Sequence, residues 1–208
     1  MATFRRWLLV AAEQREFEGI LRRLGSFKKL EWPAQFACEA AGNGDGFVMV
    51  ANGPGARLVE MALSKRIDVD GMISTGFCGA LDPSLRVGDI ARDLCSIDRV
   101  AVTAAEKREL RNATGAAAVD MESAAVAKIA AAWSVPFRAI RAVSDAAGED
   151  MPLDFNLYRD AEGRFSRTRI ALAAMKRPFT AVPALLRLDR NCRTAAESLG
   201  NFFADSRL

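Results

Sequence analysis

The stretch that decides the fold runs from Ala118 to Asp145 and reads AVDMESAAVAKIAAAWSVPFRAIRAVSD. Its middle is rich in alanine, the strongest helix former, and predicts a helix from near Met121 to about Trp133. Pro136 closes the connection, since proline cannot extend a helix. Phe137 to Val143 reads as a buried strand, with Ser144 and Asp145 at its carboxyl end. Two carboxylates stand out. Glu122 lies at the helix start, where free N–H groups and the helix dipole favour negative charge. Asp145 lies just past a strand end, where open α/β sheets place their ligands. Each has a plainer role when taken alone: Glu122 as a first-turn glutamate that satisfies the helix N-terminus, Asp145 as an N-cap or loop carboxylate.

Working outward, Trp7 to Ala12 reads as a first strand buried on both faces. Glu13 to Leu24 follows as a helix, with Phe17, Ile20, Leu21 and Leu24 at helical spacing and Gly25 as its stop. A strand feeding directly into a helix is the α/β pattern. Phe36 to Ala40 and Phe47 to Ala51 read as strands joined by a hairpin turn at Asn43-Gly44-Asp45-Gly46. Asn52-Gly53-Pro54-Gly55 then leads into a helix from Ala56 to about Lys65. Glycines between strand and helix let backbone approach a ligand, although a tight connection is their commoner meaning. GxGxxG is absent, so this is no dinucleotide fingerprint. Gly71 to Ser74 reads as a short buried strand, followed by a glycine-rich loop from Thr75 to Pro83. Glu106 to Arg111 reads as a short helix ended by Gly115, and residues 146–155 as a lid loop. Arg167 to Lys176 and Ala184 to about Phe203 are helical, the second opened by Pro183.

The 208 residues fit one domain, 1–208, with a helical tail at about 167–205. Hydrophobic residues make up 50% and charged residues 26%, a globular balance. A net charge of +3 does not advertise nucleic-acid binding. Histidine is absent, which removes Ser-His-Asp and Cys-His nucleophile systems and HExxH zinc chemistry. Cys38, Cys78, Cys95 and Cys192 form no CxxC pair, so we expect reduced thiols, no bound metal and a cytoplasmic setting. The opening apolar run meets Glu13 too soon for a signal peptide, and no run is long enough to span a bilayer.

Val119-Asp120-Met121-Glu122-Ser123 and Arg141-Ala142-Val143-Ser144-Asp145 resemble the nucleoside phosphorylase and nucleosidase superfamily, which cleaves purine nucleosides. The resemblance implies a three-layer α/β sandwich around a mixed twisted sheet. It also implies that Met121 and Glu122 grip the ribose and that Ser144 and Asp145 hold the purine. Thr75-Gly76-Phe77-Cys78-Gly79 and Leu85-Arg86-Val87-Gly88-Asp89 resemble the superfamily's glycine-rich loop and LxVGD segment, so Gly76 and Phe77 are expected to border base and ribose. Val119, Val100 and Ala101 match positions around the substrate, and Gly53 and Gly55 match a Gly-x-Gly. Ala12 precedes Glu16 by four positions, the spacing at which nucleosidases place the glutamate that activates water; Glu13 is the alternative.

Three departures are visible. Phe77 stands where a small residue is usual. No Arg precedes the glycine-rich stretch, as it often does in phosphorylases. Residues 90–97 replace a strand and helix that relatives usually carry. The tail, with Arg177-Pro178 and Val182-Pro183-Ala184-Leu185-Leu186-Arg187-Leu188, resembles the hopanoid-biosynthesis nucleoside phosphorylase group, as do Glu106-Lys107 and the VDMES form. That resemblance implies adenosylhopane as substrate.

The expected chemistry is N-glycosidic cleavage of an adenine nucleoside. A carboxylic acid near N7 relieves charge on the leaving base, and partial burial would keep Asp145 protonated for that task. Glu122 offers two acceptor oxygens to the two ribose hydroxyls and stabilises the oxocarbenium-like state. Glu16 orients or deprotonates water. No cofactor is required. Phosphate is the alternative co-substrate, with Arg57 as the residue that could reach it. The rival reading is a non-catalytic nucleoside-binding module that lost turnover with the missing segment after Asp89.

Homo-oligomerisation is expected, a dimer foremost. Leu185, Leu188, Cys192, Ala195, Ala196, Leu199 and Phe203 form one helical stripe that could face the core, a subunit or a membrane. From Arg164 onward nine basic residues face three acidic ones, a net of +6, while the rest of the chain carries −3. That asymmetry would suit peripheral contact with an anionic bilayer.

Overall fold

The computed structural model describes residues 5–42 and 44–205. Asn43 of the expected hairpin turn and Arg207 of the basic tail lie outside the described residues.

The central strands are hydrophobic on both faces because helices cover both. In β1 (Arg6–Ala11), Trp7, Leu9 and Ala11 point to one layer, and Leu8 and Val10 to the other. β1 lies between two parallel neighbours, β4 (Asp45–Ala51) and β5 (Gly71–Ala80). β3 (Phe36–Gly42) pairs antiparallel with β4, and β2 (Phe27–Lys29), a short strand the sequence did not announce, forms the edge. On one face, α1 (Glu18–Leu24) and α6 (Ala181–Asp205) bury Ile20, Ala195, Leu199 and Phe203. On the other, α2 (Ala56–Ala62) and α4 (Ser123–Trp133) bury Val59, Ala62, Val126 and Ala130. The result is the expected three-layer α/β sandwich with a mixed sheet.

The glycine-rich stretch is strand rather than loop. β5 continues to Ala80 and forks: it pairs parallel with β9 (Phe137–Asp145) along most of its length, then antiparallel with β8 (Ala118–Asp120) through Gly79 and Ala80. Its glycines are there for close approach. A Cβ on Gly76, whose φ is +123°, would lie 2.5 Å from Glu16 Oε2, and one on Gly79 would lie 2.9 Å from Asp145 Oδ2. The fork therefore brings the ends of β5, β8 and β9 together and leaves room between them for two carboxylates.

Residues 90–97 still supply sheet. β6 (Ile90–Ala91) pairs with β9, and β7 (Leu94–Ser96) pairs parallel with β8. α3 (Ala104–Thr114) is longer than expected; Thr103 caps it by accepting the Glu106 N–H, and Gly115 ends it at φ 75°. The expected first helix divides into a single tight turn at Gln14–Phe17 and then α1. α2 stops at Ala62, and α4 begins one residue after Glu122. α5 is Arg167–Met175, and α6 begins at Ala181, before Pro183, which a first helical turn tolerates. The apolar stripe of α6 from Cys192 to Phe203 is buried in the core against α1 and the sheet, so it is not a membrane or subunit face. No helix among the described residues is long and apolar enough to cross a membrane.

Candidate active site

A cavity of about 410 Å³ opens at the carboxyl ends of β1, β5, β8 and β9. Glu16, Phe77, Val100, Ala101, Val119, Met121, Glu122, Ser144 and Asp145 all line it. Gly53, Gly55 and Gly76 do not line it; they hold the residues that do. Arg57 is exposed and away from it.

Glu16 is buried in the turn after β1. Its Oε2 accepts the N–H groups of Ala12 (2.8 Å) and Glu13 (3.2 Å), and its Oε1 accepts the Phe77 N–H (3.2 Å). Burial pushes its carboxyl up to about 7; Arg141 pulls the other way, and Glu122 and Glu13 add to the rise. A carboxyl in that range suits a general base near neutrality. Glu13, the alternative, also borders the cavity but is turned to Arg15 (2.7 Å) and Arg167 (3.4 Å).

Glu122 sits at the N-cap of α4, yet its side chain does not cap the helix. Asp120 does that, accepting the Ser123 N–H at 3.0 Å. Glu122 Oε1 instead accepts the Gly55 N–H at 2.8 Å, so the glycine turn before α2 serves a side chain rather than a ligand directly. Glu122 Oε2 pairs with Arg141 at 2.9 Å. Burial raises this carboxyl, against the opposing pull of Arg141. Arg141 also pairs with Asp120 at 2.6 Å and donates to Ser74 Oγ (2.8 Å) and to the Phe77 carbonyl (3.0 Å). Burial works against its charge, and Asp120, Glu122 and Glu16 more than offset that, holding its pKa above the usual value.

Asp145 is no N-cap. Ser144 Oγ donates to Oδ1 at 2.7 Å, and Lys107 Nζ, from α3, lies 2.5 Å from Oδ2. The expectation of a lone carboxyl raised by burial omitted this ion pair. Lys107 is 1% exposed and also donates to the carbonyls of Ala146 (2.8 Å) and Glu149 (3.0 Å), which ties down the loop after β9. Asn156 clamps Val100 from the same side, accepting its N–H (2.9 Å) and donating to its carbonyl (3.0 Å).

Asn156 was missed as a site residue, and Lys107, Asp120 and Arg141 were quoted without a role. Arg141 had a signal, a charge between Ile140 and Ala142 in a strand read as buried. Lys107 had only its place in the Glu106-Lys107 pair, because on a short helix among Glu106, Arg108 and Glu109 it resembles a solvated side chain.

Phe155, Phe165, Ile170, Leu185 and Leu188 give the cavity a large apolar lining, with Arg167 and Asp189 among them. α5 and the start of α6 thus roof one end of it.

Solved nucleosidases share this fold. A 5′-methylthioadenosine/S-adenosylhomocysteine nucleosidase from Neisseria meningitidis, solved with methylthio-immucillin-A, superposes with a TM-score of 0.70 at 19% identity, covering 97% of each chain. The futalosine hydrolase of Helicobacter pylori superposes with a TM-score of 0.67 at 15% identity, covering 96% of this chain and 95% of that one. Residues 94–175 match the phosphorylase superfamily. By sequence, a 5′-methylthioadenosine/S-adenosylhomocysteine nucleosidase from Mycobacterium bovis is 44% identical over 52 residues, 25% of this chain and 20% of that protein. The counterpart from a Shewanella strain is 40% identical over 63 residues, 30% of this chain and 27% of that protein. The matched stretches thus span about a quarter of these relatives' length.

Proposed function

We propose that this protein hydrolyses the N-glycosidic bond of an adenine nucleoside that carries an apolar 5′ substituent. The observation that carries the reading is the convergence of Glu16, Glu122 and Asp145 on one cavity that Phe155, Phe165, Ile170, Leu185 and Leu188 also line. Glu122 accepts from the ribose hydroxyls. Glu16 takes a proton from water as its oxygen bonds to C1′. The C1′–N9 electron pair leaves on the purine, which takes a proton at N7 from the Asp145 side. Phe155, Phe165, Ile170, Leu185 and Leu188 receive the 5′ group. Adenosylhopane, with its hydrocarbon 5′ substituent, has that chemistry.

Water is favoured over phosphate as the nucleophile for two reasons. A buried carboxylate at Glu16 repels a phosphate dianion, and three arginines at the cavity are already paired: Arg15 and Arg167 with Glu13, and Arg99 with Glu106. The similarity to proteins named nucleosidase and hydrolase points the same way. Phosphorolysis and a binding module without turnover remain the rival outcomes.

The substrate would come from a bilayer. Leu172, Met175, Phe179 and Leu186 are exposed on and between α5 and α6, Phe179 at 93%. Residues 163–188 contain six basic side chains and no acidic one. This exposed face, rather than the buried stripe of α6, is the candidate for contact with anionic lipid, and a subunit contact is the alternative.

The test is adenine release by the purified protein from adenosine and from 5′-alkylthioadenosines of increasing chain length, with and without phosphate. Release without phosphate, faster with longer chains, is expected. Strict dependence on phosphate would overturn hydrolysis, and stabilisation by adenine without release would indicate the binding module.

A further inference from the structure

The general acid of a glycosidic cleavage must hold a proton when the base leaves. In this site the carboxylate assigned to that task is engaged at both oxygens by donors, Ser144 Oγ on Oδ1 and Lys107 Nζ on Oδ2. A carboxylate in an ion pair has no proton of its own to give. We propose that Lys107 is the proton source, and that Asp145 relays its proton to the purine; the proposal rests on the cleavage reading above.

Three observations support the relay. Lys107 Nζ lies 2.5 Å from Asp145 Oδ2, so a proton can pass directly between the two atoms. Lys107 is itself buried and lines the cavity, so its proton is withheld from bulk water but available to a bound base. Its three N–H bonds have three acceptors, Asp145 Oδ2 and the carbonyls of Ala146 and Glu149, and of these only the carboxylate can take a proton. Oδ2 lies on the side of Gly79, which also lines the cavity and has no Cβ to cover it.

The step balances. As the C1′–N9 electron pair moves onto the purine, an Nζ–H bond of Lys107 breaks and an Oδ2–H bond forms. That bond breaks in turn as N7–H forms. Lys107 is left as an amine and Asp145 as a carboxylate. Glu16 holds the proton from water, and exchange with solvent resets both ends.

The neighbouring titratable groups do not offer a second source. Cys78 on β5 and Cys192 on α6 both sense the Asp145 charge, and burial pushes both thiols up, Cys192 to about 12. Glu106 on α3 is turned to Arg99, and Asp150 accepts the Ala104 N–H. Asp120, Glu122 and Arg141 form their own cluster behind β5. Glu149 contributes its backbone carbonyl.

Two variants test the relay. Lys107→Arg keeps a cation and its donors but cannot give up a proton at any working pH. Lys107→Met leaves Asp145 to act alone. Each is assayed on an adenine nucleoside and on 4-nitrophenyl β-ribofuranoside, whose leaving group departs without protonation. The relay predicts a loss of roughly 10²–10⁴ for Lys107→Arg on the adenine substrate, within the range for removal of a general acid. It also predicts less than about tenfold loss on the nitrophenyl riboside, a group that needs no acid. In Lys107→Met the alkaline limb of the kcat profile should move to lower pH, because a carboxyl loses its proton before an ammonium does. If Lys107 only pairs with Asp145, that limb moves up instead, since an unpaired buried carboxyl holds its proton longer. An upward shift, near-normal Lys107→Arg activity, or equal loss on both substrates would overturn the relay. A wild-type protein inert toward both substrates would refute the cleavage reading itself.

Discussion

Removing the guanidinium that pairs with Asp120 and Glu122, Arg141→Met, tests how the candidate site is held together. Arg141 is 1% exposed and pairs with two carboxylates that are themselves buried, Asp120 at 2.6 Å and Glu122 at 2.9 Å. Methionine approximates the length of the side chain but leaves both carboxylates without their cation. Breaking a buried ion pair in this way costs about 3–5 kcal/mol. Loss of the donor to the Phe77 carbonyl adds about 1–3 kcal/mol. Against a typical domain stability of roughly 5–15 kcal/mol, the variant is at or near the edge of folding at pH 8. The deficit should shrink on acidification. Without Arg141 nothing opposes the burial that raises the Glu122 carboxyl, so the folded state binds the extra proton, and stability is greatest at low pH and falls as pH rises through the folded value. Urea denaturation at pH 5.5 and pH 8 reads both effects. The triple variant Arg141→Met, Asp120→Asn, Glu122→Gln removes all three charges, and should recover most of the loss at pH 8 while remaining inactive. A loss under about 1 kcal/mol in the single variant, or a triple variant no more stable than the single, would refute the reasoning.

Three further outcomes follow from the site. Asp145→Asn cannot pass on an acidic proton and should lose roughly 10²–10⁴ in adenine release while keeping its fold by circular dichroism; near-normal turnover would remove Asp145 from this role. Because the Glu16 carboxyl is raised from 4.5 to about 7, the base form accumulates as pH rises, and kcat should climb between about pH 6 and 8. The same shift costs stability: the folded state keeps the Glu16 proton over a range where the unfolded chain has lost it, so about 3 kcal/mol is lost between roughly pH 4.5 and pH 8, and a flat profile in Glu16→Ala against a falling wild-type curve would identify the source. Flotation with anionic liposomes at low salt should recover the protein with lipid, at about 1 kcal/mol per basic residue near the surface, and Phe179→Glu with Leu172→Glu should abolish it; absence of the wild type from the lipid fraction would leave the exposed face to a subunit contact.

The local level of this protein was legible in its sequence. The unbroken apolar run Trp7 to Ala11 places a strand with two buried faces, and the alanine run with its following proline marks α4. Gly115 marks the end of α3, although the helix starts before and runs past the Glu106 to Arg111 stretch that first marks it. Positions 16, 122 and 145 carry carboxylates at spacings that the resemblance made interpretable, and all three line one cavity. These features depend on neighbours within a few residues, which a linear pattern records.

What the tertiary structure alone decided is which charges meet. Lys107 and Asp145 are 38 residues apart, Phe77 and Glu16 are 61 apart, and Gly55 and Glu122 are 67 apart. No periodicity links such pairs; the fork of β5 and the approach of α3 do. The same holds for the glycines of β5, which look like a loop until the space they leave is seen to hold Glu16 and Asp145. It holds for α6, whose apolar stripe could have faced a core, a partner or a bilayer, and which α1 and the sheet bury. A side chain's chemistry is written in its residue type, but its charge state and its work depend on neighbours that only the folded chain brings within hydrogen-bond distance.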